Sequence, residues 1–425
     1  MFARIADGAP DSRRKFRTDL VMPVCMLLLA LMGLAFIYTS QNYNMDEGPV
    51  FRQYWFRQSM FFALGAAVYW AISNIDYDKF FVYAQWIYLG SMLLLVPLVL
   101  KECLDVPIPF VPKRGGATRW INLGIFSLQP SEIAKIGTCI MTAAILARSK
   151  VGTVRQSLKV LIKLAAVISV PILLIFLQPD LGSTLVFPPM VFAMLYVSKL
   201  SRRFFAVALA AFAVLIAAVS ADIAGYASFL RSSGMSGAEA QSGNVYGSTH
   251  FGLPIKDYQR NRILAFVAPE VVDSSGREAT WNVKQSLISI GSGGLFGKGL
   301  GEGTQAKLGY LPSSVAYNDF IFAVLAEESG FVGASAAVGL LGVLIIFCCL
   351  RAARLSRDRF GQFLCVGIAV MLMTHVFINI GMTLSIMPIT GLPLPMLSYG
   401  GSFVLTCCVL LGLVQSVYRH RQQFE

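Results

Sequence analysis

Residues 20–40 read LVMPVCMLLLALMGLAFIYTS, a stretch without one charged side chain. At about 1.5 Å per residue, a helix of that length covers the roughly 30 Å of hydrocarbon in a bilayer. In hydrocarbon a backbone must satisfy its own N–H and C=O groups, and a helix does so within one segment. The run is too long for a signal-peptide core and lacks a small-residue cleavage site, so it reads as a retained span.

Similar runs recur at 54–74, 79–100, 131–148, 158–178, 181–198, 203–222, 319–350, 361–387 and 397–418. The chain is 56% hydrophobic and 14% charged over 425 residues, against about 25% charge in a soluble domain. A soluble globular class is excluded. The expected fold is all-α, a polytopic membrane protein of about ten transmembrane helices. Its expected parts are a basic N-terminus (1–19), helices one to seven (20–222), a large extracytoplasmic loop (223–318), helices eight to ten (319–418) and a tail (419–425).

The net charge of +12 would suggest nucleic acid for a soluble chain. Here the basic residues sit in short loops on alternate sides, which is a topology signal and gives no nucleic-acid partner. Arg4, Arg13, Arg14, Lys15 and Arg17 precede the first span. Arg148, Lys150 and Arg155 follow the fourth, Lys199, Arg202 and Arg203 the sixth, Arg351, Arg354, Arg357 and Arg359 the eighth, and Arg419 and Arg421 the tenth. With ten spans these share one side, so both termini are expected in the cytoplasm. The outer loop 101–130 breaks the bias with Lys113, Arg114 and Arg119.

Eight cysteines and three histidines show no zinc-type spacing, and seven of the cysteines lie in apolar runs. No disulfide framework or zinc site is expected. Gly291–Gly299 resembles a P-loop only superficially: Ser292 stands where the first glycine belongs, and Gly299 follows Lys298 in place of Ser or Thr.

Several polar residues sit where a membrane protein rarely spends them. Arg260 and Arg262 suit phosphate oxygens, or anchor an interface together with Tyr258. Pro130 suits the first turn of a helix, and Glu132 and Lys135 then fall three apart, spaced for an ion pair. Trp120 suits an aromatic belt or a site. Asp319 opens span eight, where an aspartate can be a simple cap. Glu327 and Glu328 lie about 12 Å deeper, where carboxylates are paired or functional. His375 and Asn379 share a helix face, spaced for interhelical hydrogen bonds. Three prolines and several glycines across 387–402 predict an irregular, re-entrant segment packed on protein. The Ser/Gly-rich stretch 231–249 reads as flexible and poor in apolar anchors.

Together these segments resemble the SEDS (shape, elongation, division, sporulation) family. The resemblance rests on Arg119-Trp120-Ile121, Leu128 to Lys135, Gln178 to Ser183, Gln285-Ser286, Gly297-Lys298-Gly299, Gly303-Thr304-Gln305, Asp319 to Glu328, Asn379 to Met382, Gly391 to Pro395 and Ser398 to Ser402. The glycine–lysine segment looks closer to the elongation (RodA) branch than to the division (FtsW) branch. The resemblance implies a ten-helix peptidoglycan glycosyltransferase of the bacterial inner membrane, acting on lipid II. It implies Asp319 as the essential carboxylate, with Arg119, Trp120, Glu132 and Lys135 around an outer cavity. The implied partners are a class B penicillin-binding protein, other elongation-complex proteins and membrane lipid. The family usually has Leu-Pro-Glu-Arg-His-Thr before the aspartate; here Leu311 to Asn318 is two residues longer and lacks the histidine.

That chemistry asks for a base, cations at a leaving diphosphate and a groove for polyprenyl tails. Asp319 is the expected base. Arg119, Arg260, Arg262 and Lys298 are expected diphosphate ligands, with Glu327 as a further substrate-site residue and Mg2+ or Mn2+ as a candidate cofactor. A lipid II flippase without bond formation, or a scaffold, is the alternative.

Overall fold

The computed structural model describes residues 18–42, 49–104, 106–113, 118–124, 126–235, 237, 239–240, 245–249, 253, 255–273 and 280–421. Eight described helices are long and apolar enough to cross a membrane. Two more of the expected spans are helical. Tyr54–Asn74 runs 21 residues, and the other is broken into Leu181–Thr184 and Phe187–Val197. The molecule is a multi-pass, all-α membrane protein, with one two-residue antiparallel pair among the described residues, Ile121↔Leu128 and Asn122↔Ser127.

Local chemistry sets several helix ends. Thr153 and Gln156 form a reciprocal capping box at Val154–Phe176. Asp358 accepts from Gly361 N at 2.9 Å and starts Arg359–Thr383. Pro130 is the first residue of Pro130–Arg148, where its missing N–H costs nothing.

Pro130–Arg148, Arg359–Thr383 and Gly401–Arg419 form the buried centre. Arg202–Ser233 is the opposite case: no residue from 202 to 222 is buried. Its far end is pinned, because Tyr226 and Leu230 join Tyr246, Leu264 and Val272 in a separate small core.

One end of the bundle gathers the basic residues that the loop pattern singled out. Arg357 pairs with Asp76 and Asp78. Tyr77 donates to Asp358, Arg148 lies over the Phe81 ring, and Arg419 binds Asn74.

Ile321–Gly342 is kinked at Gly330 (φ 67°, ψ −167°), a backbone that L side chains rarely adopt. The loop Gly293–Gly299 is laid into the break. Lys298 N and Gly299 N donate to Glu327 O and Glu328 O, both at 3.0 Å, while Phe331 N and Val332 N donate to Gly294 O and Leu295 O at 2.9 and 3.0 Å. These bonds replace the helical ones lost at the kink. A Cβ on Gly330 would strike Gly297 N, so the two backbones touch.

The stretch 231–249 departs from the flexible reading. Helix Arg202–Ser233 ends inside it, with Gly234 in the left-handed conformation (φ 67°) as its C-cap. Ala240 and Tyr246 are buried, so the described part of this stretch does carry apolar anchors.

Candidate active site

At the end of the bundle opposite the basic cluster, four irregular segments converge: the approach to Pro130, the break before Leu181, the turn before Ile321, and residues 386–400, which form neither helix nor strand. Asp319 lies in the turn before Ile321–Gly342, outside the membrane-spanning segment. The N-cap of that helix is Phe320, and no side chain caps it. The cap reading of Asp319 is therefore set aside.

The Asp319 carboxyl is pushed up to about 6 by burial, and the Arg262 and Arg119 guanidinium groups pull against that shift. Gly391 (φ 75°) lies against it, since a Cβ there would sit 3.4 Å from Asp319 Oδ2.

Arg119 donates to Pro179 O. Arg262, on Asp257–Val267, is held below its ordinary value by burial and then by Arg119. Asp180 also faces Arg262 and Tyr258. It accepts from Ser183 N (3.3 Å), Ser183 Oγ (2.9 Å) and Gln129 Nε2 (3.2 Å). Two buried polar atoms of this group, Arg119 Nε and the Tyr258 hydroxyl, have no hydrogen-bond partner among the described residues. Trp120 is half-buried beside Arg119.

Behind this group lies a buried ion pair. Lys135 Nζ is 2.7 Å from Glu132 Oε1 and 3.0 Å from His375 Nε2. An ammonium only donates, so His375 accepts at Nε2 and its Nδ1–H donates to Pro393 O at 3.2 Å. Phe403 stacks on the imidazole at 4.7 Å. Glu132, Lys135 and His375 thus link two spans to the irregular segment.

Three expected substrate-site residues are engaged in other contacts. Arg260 gives all five of its N–H groups to Asp222, Asp257, Ile255 O and Leu253 O, and none is left for a diphosphate. Arg260 and Arg262 lie two apart on a helix, and at about 100° per residue they face nearly opposite ways. Lys298 and Glu327 pair with each other at 2.6 Å. Glu327 Oε1 also accepts from Thr304 N, Thr304 Oγ1 and Gln305 N.

Sequence reading missed Asp180 as a member of the site, although a carboxylate in a two-residue break between spans was a usable signal. It also missed Lys284. A cavity of about 180 Å³ is lined by Arg262 and Lys284 together with Phe266, Leu287, Met387 and Ile389. Among the described residues its wall carries two cations and no carboxylate.

Among the described residues no three His, Cys, Asp or Glu side chains cluster to hold a metal ion.

Comparison with known proteins agrees with this architecture. The peptidoglycan glycosyltransferase MrdB of Escherichia coli K12 is 35% identical over 344 residues, 81% of this chain and 80% of that protein. The peptidoglycan glycosyltransferase RodA of Treponema pallidum is 31% identical, over 94% of this chain and 97% of that one. A solved chain from work titled "Structural coordination of polymerization and crosslinking by a peptidoglycan synthase complex" matches with TM-score 0.69 and 26% identity, over 96% of this chain and 99% of that one. The rod shape determining protein RodA of Thermus thermophilus shares the fold, with TM-score 0.62 and 24% identity over 96% of this chain and 98% of that one. A family model described as "Cell cycle protein" matches residues 19–423, and the chain belongs to that FtsW/RodA/SpoVE family.

Proposed function

We propose that this chain is a peptidoglycan glycosyltransferase that polymerises lipid II into glycan strands during cell elongation. The observation that carries the reading is Asp319 facing Arg119 and Arg262, with Arg119 Nε and the Tyr258 hydroxyl buried beside them and without a partner among the described residues. The names of the curated relatives support it.

In this reading Asp319 takes the proton from the acceptor's sugar hydroxyl. The oxygen attacks the donor's anomeric carbon, and the bond from that carbon to the diphosphate oxygen breaks. Undecaprenyl diphosphate leaves with the electron pair, held by Arg119 and Arg262, and the proton passes from Asp319 to water. One displacement inverts the anomeric centre. Stabilising charge at the leaving group is the larger contribution, because guanidinium forks match phosphate oxygens. Trp120 offers an aromatic face to a sugar ring. The Glu132–Lys135–His375 network holds the floor of the site. Arg260, Lys298 and Glu327 serve as struts.

Mg2+ or Mn2+ would accompany the substrate's diphosphate. In this reading the enzyme sits in the bacterial inner membrane with both termini cytoplasmic and the site on the outer face. It works with a class B penicillin-binding protein and other elongation-complex proteins. The flippase alternative loses support, because the four donors on Glu327 give that carboxylate a structural task.

The test is purified protein with lipid II, in the presence of a drug that blocks bifunctional penicillin-binding proteins, read as glycan polymer on a gel. Polymer is expected, with a rate that rises on adding the partner. Absence of polymer with the partner present overturns the reading.

A further inference from the structure

Asp319 has no place in a helix to hold it, yet a base must sit within about 0.5 Å of its working position. Three consecutive carbonyls around it are gripped from outside the turn. Tyr317 O accepts from Tyr399 N at 2.9 Å. Asn318 O accepts from Ser398 Oγ at 2.7 Å. Asp319 O accepts from Asn379 Nδ2 at 2.9 Å.

Asn379 makes a second bond with the same nitrogen, to Leu392 O at 2.7 Å. Both partners are carbonyls, so the amide nitrogen must face them and the side chain has one workable orientation. Leu392 follows Gly391, the residue whose backbone lies against Asp319 Oδ2. One buried amide therefore ties together the two backbones that flank the carboxylate. One helical turn earlier, His375 grips the next carbonyl, Pro393 O. Ser398 is similarly committed: its hydroxyl accepts from Leu394 N at 2.8 Å while donating to Asn318 O. An ordinary interhelical bond would join two helices. Here the amide joins a helix to the two irregular strands of chain that form the site.

We propose that Asn379, seconded by Ser398, is a positioning residue that sets the Asp319 carboxylate for proton abstraction through the backbone of residues 317–319. The inference rests on Asp319 being the base. Neither side chain needs to touch substrate. Their loss shifts the base without removing it, and a displacement of about 1 Å costs on the order of 100-fold in rate.

The experiment is steady-state polymerisation of the lipid-linked precursor by the full-length protein in detergent, with its thermal unfolding measured alongside. Asn379→Leu keeps the volume and removes both bonds. The expected result is kcat down by about 100-fold with KM within about twofold. Ser398→Ala is expected to lose about tenfold in kcat, and Ser398→Thr, which keeps the hydroxyl, to recover most of it. If Asn379→Leu does not fold, the Ser398 pair decides. An unchanged kcat in Asn379→Leu, or equal losses in Ser398→Ala and Ser398→Thr, overturns the inference. So does a rise in KM at constant kcat. Asp319→Asn separates the two readings. Its full activity would overturn the base assignment and this inference with it, whereas an inactive Asp319→Asn beside a fully active Asn379→Leu overturns this inference alone.

Discussion

Lys298 Nζ sits 2.6 Å from Glu327 Oε1 across the break in Ile321–Gly342, and the pair belongs to the clamp that repairs the helix. Glu327 is almost wholly buried while Lys298 keeps a quarter of its side chain exposed. Removing each should therefore have unequal effects. Glu327→Ala strands Thr304 N, Gln305 N and the lysine, and should destabilise by about 3 kcal/mol. Lys298→Ala leaves the three other donors on the carboxylate, and should cost only about 1 kcal/mol. Thermal unfolding in detergent reads both. A Lys298→Ala protein that melts normally but polymerises poorly would return Lys298 to the substrate site.

The position of the Asp319 carboxyl gives a pH dependence. Its value near 6 lies above the ordinary 3.8 because burial disfavours the charged form. The base is the ionised form, so kcat should rise through about pH 6 and level off above it. The linkage has the opposite sign. The folded state holds this proton more tightly than the unfolded chain, so the contribution to stability is present below about pH 4 and is lost as pH rises through 6. Asp319→Asn should abolish polymerisation, yet melt at pH 7.5 no lower than the parent, with a gain of up to about 1–2 kcal/mol. Normal polymer from a folded Asp319→Asn protein ends the assignment.

Tyr246 tests the small outer core. Its amide donates to Asp257 at 2.9 Å, its ring meets Tyr226 at 5.3 Å, and the Arg260 guanidinium lies 5.0 Å from the ring centre. Residues 231–249 are thus tied to the helix that carries Arg262. A stretch that is flexible and poor in apolar anchors, as composition alone reads it, would be dispensable for the chemistry. The packing predicts instead that Tyr246→Ala loosens this unit by about 3 kcal/mol, and that deletion of 231–249 lowers activity through Arg262. Limited proteolysis between 231 and 273 measures the loosening. Unchanged protection and activity after deletion would restore the dispensable reading.

The reach of sequence reading follows from which properties are local. Residues 20–40 declare a span because length and apolarity need no partner. Asp319 stood out as a carboxylate at a helix mouth, and 387–402 as irregular, because proline and glycine act on their own backbone. The pairings were not legible. Nothing local joins Lys298 to Glu327 across 29 residues, or Ser398 to Asn318 O across 80. Arg260 and Arg262 looked interchangeable until Asp257–Val267 proved helical and turned them apart. The sequence also does not say whether the small residues of Ile321–Gly342 face a partner or the protein's own bundle. Ala334 and Ala337 are buried within the bundle.

The Arg262–Lys284 cavity gives the last prediction. Among the described residues its wall is apolar apart from a few polar groups, and the charges there are positive, so it suits an anion that carries a hydrocarbon tail. Arg262 also faces Asp319, which sets the cavity beside the proposed base. A polyprenyl diphosphate lodged there would have its phosphates between Arg262 and Lys284 and its first isoprene units against Phe266 and Leu287. Lys284→Ala should weaken binding of a short-chain prenyl diphosphate several-fold, and Lys284→Arg should retain it, because an exposed cation contributes chiefly through its charge. Leu287→Glu should weaken binding more, by setting a carboxylate against the phosphates. Isothermal titration on the catalytically silent Asp319→Asn protein reads affinity without turnover. Equal affinity in Lys284→Ala, Leu287→Glu and the parent would show that the diphosphate binds elsewhere, and would leave Arg119 as the cation that holds it.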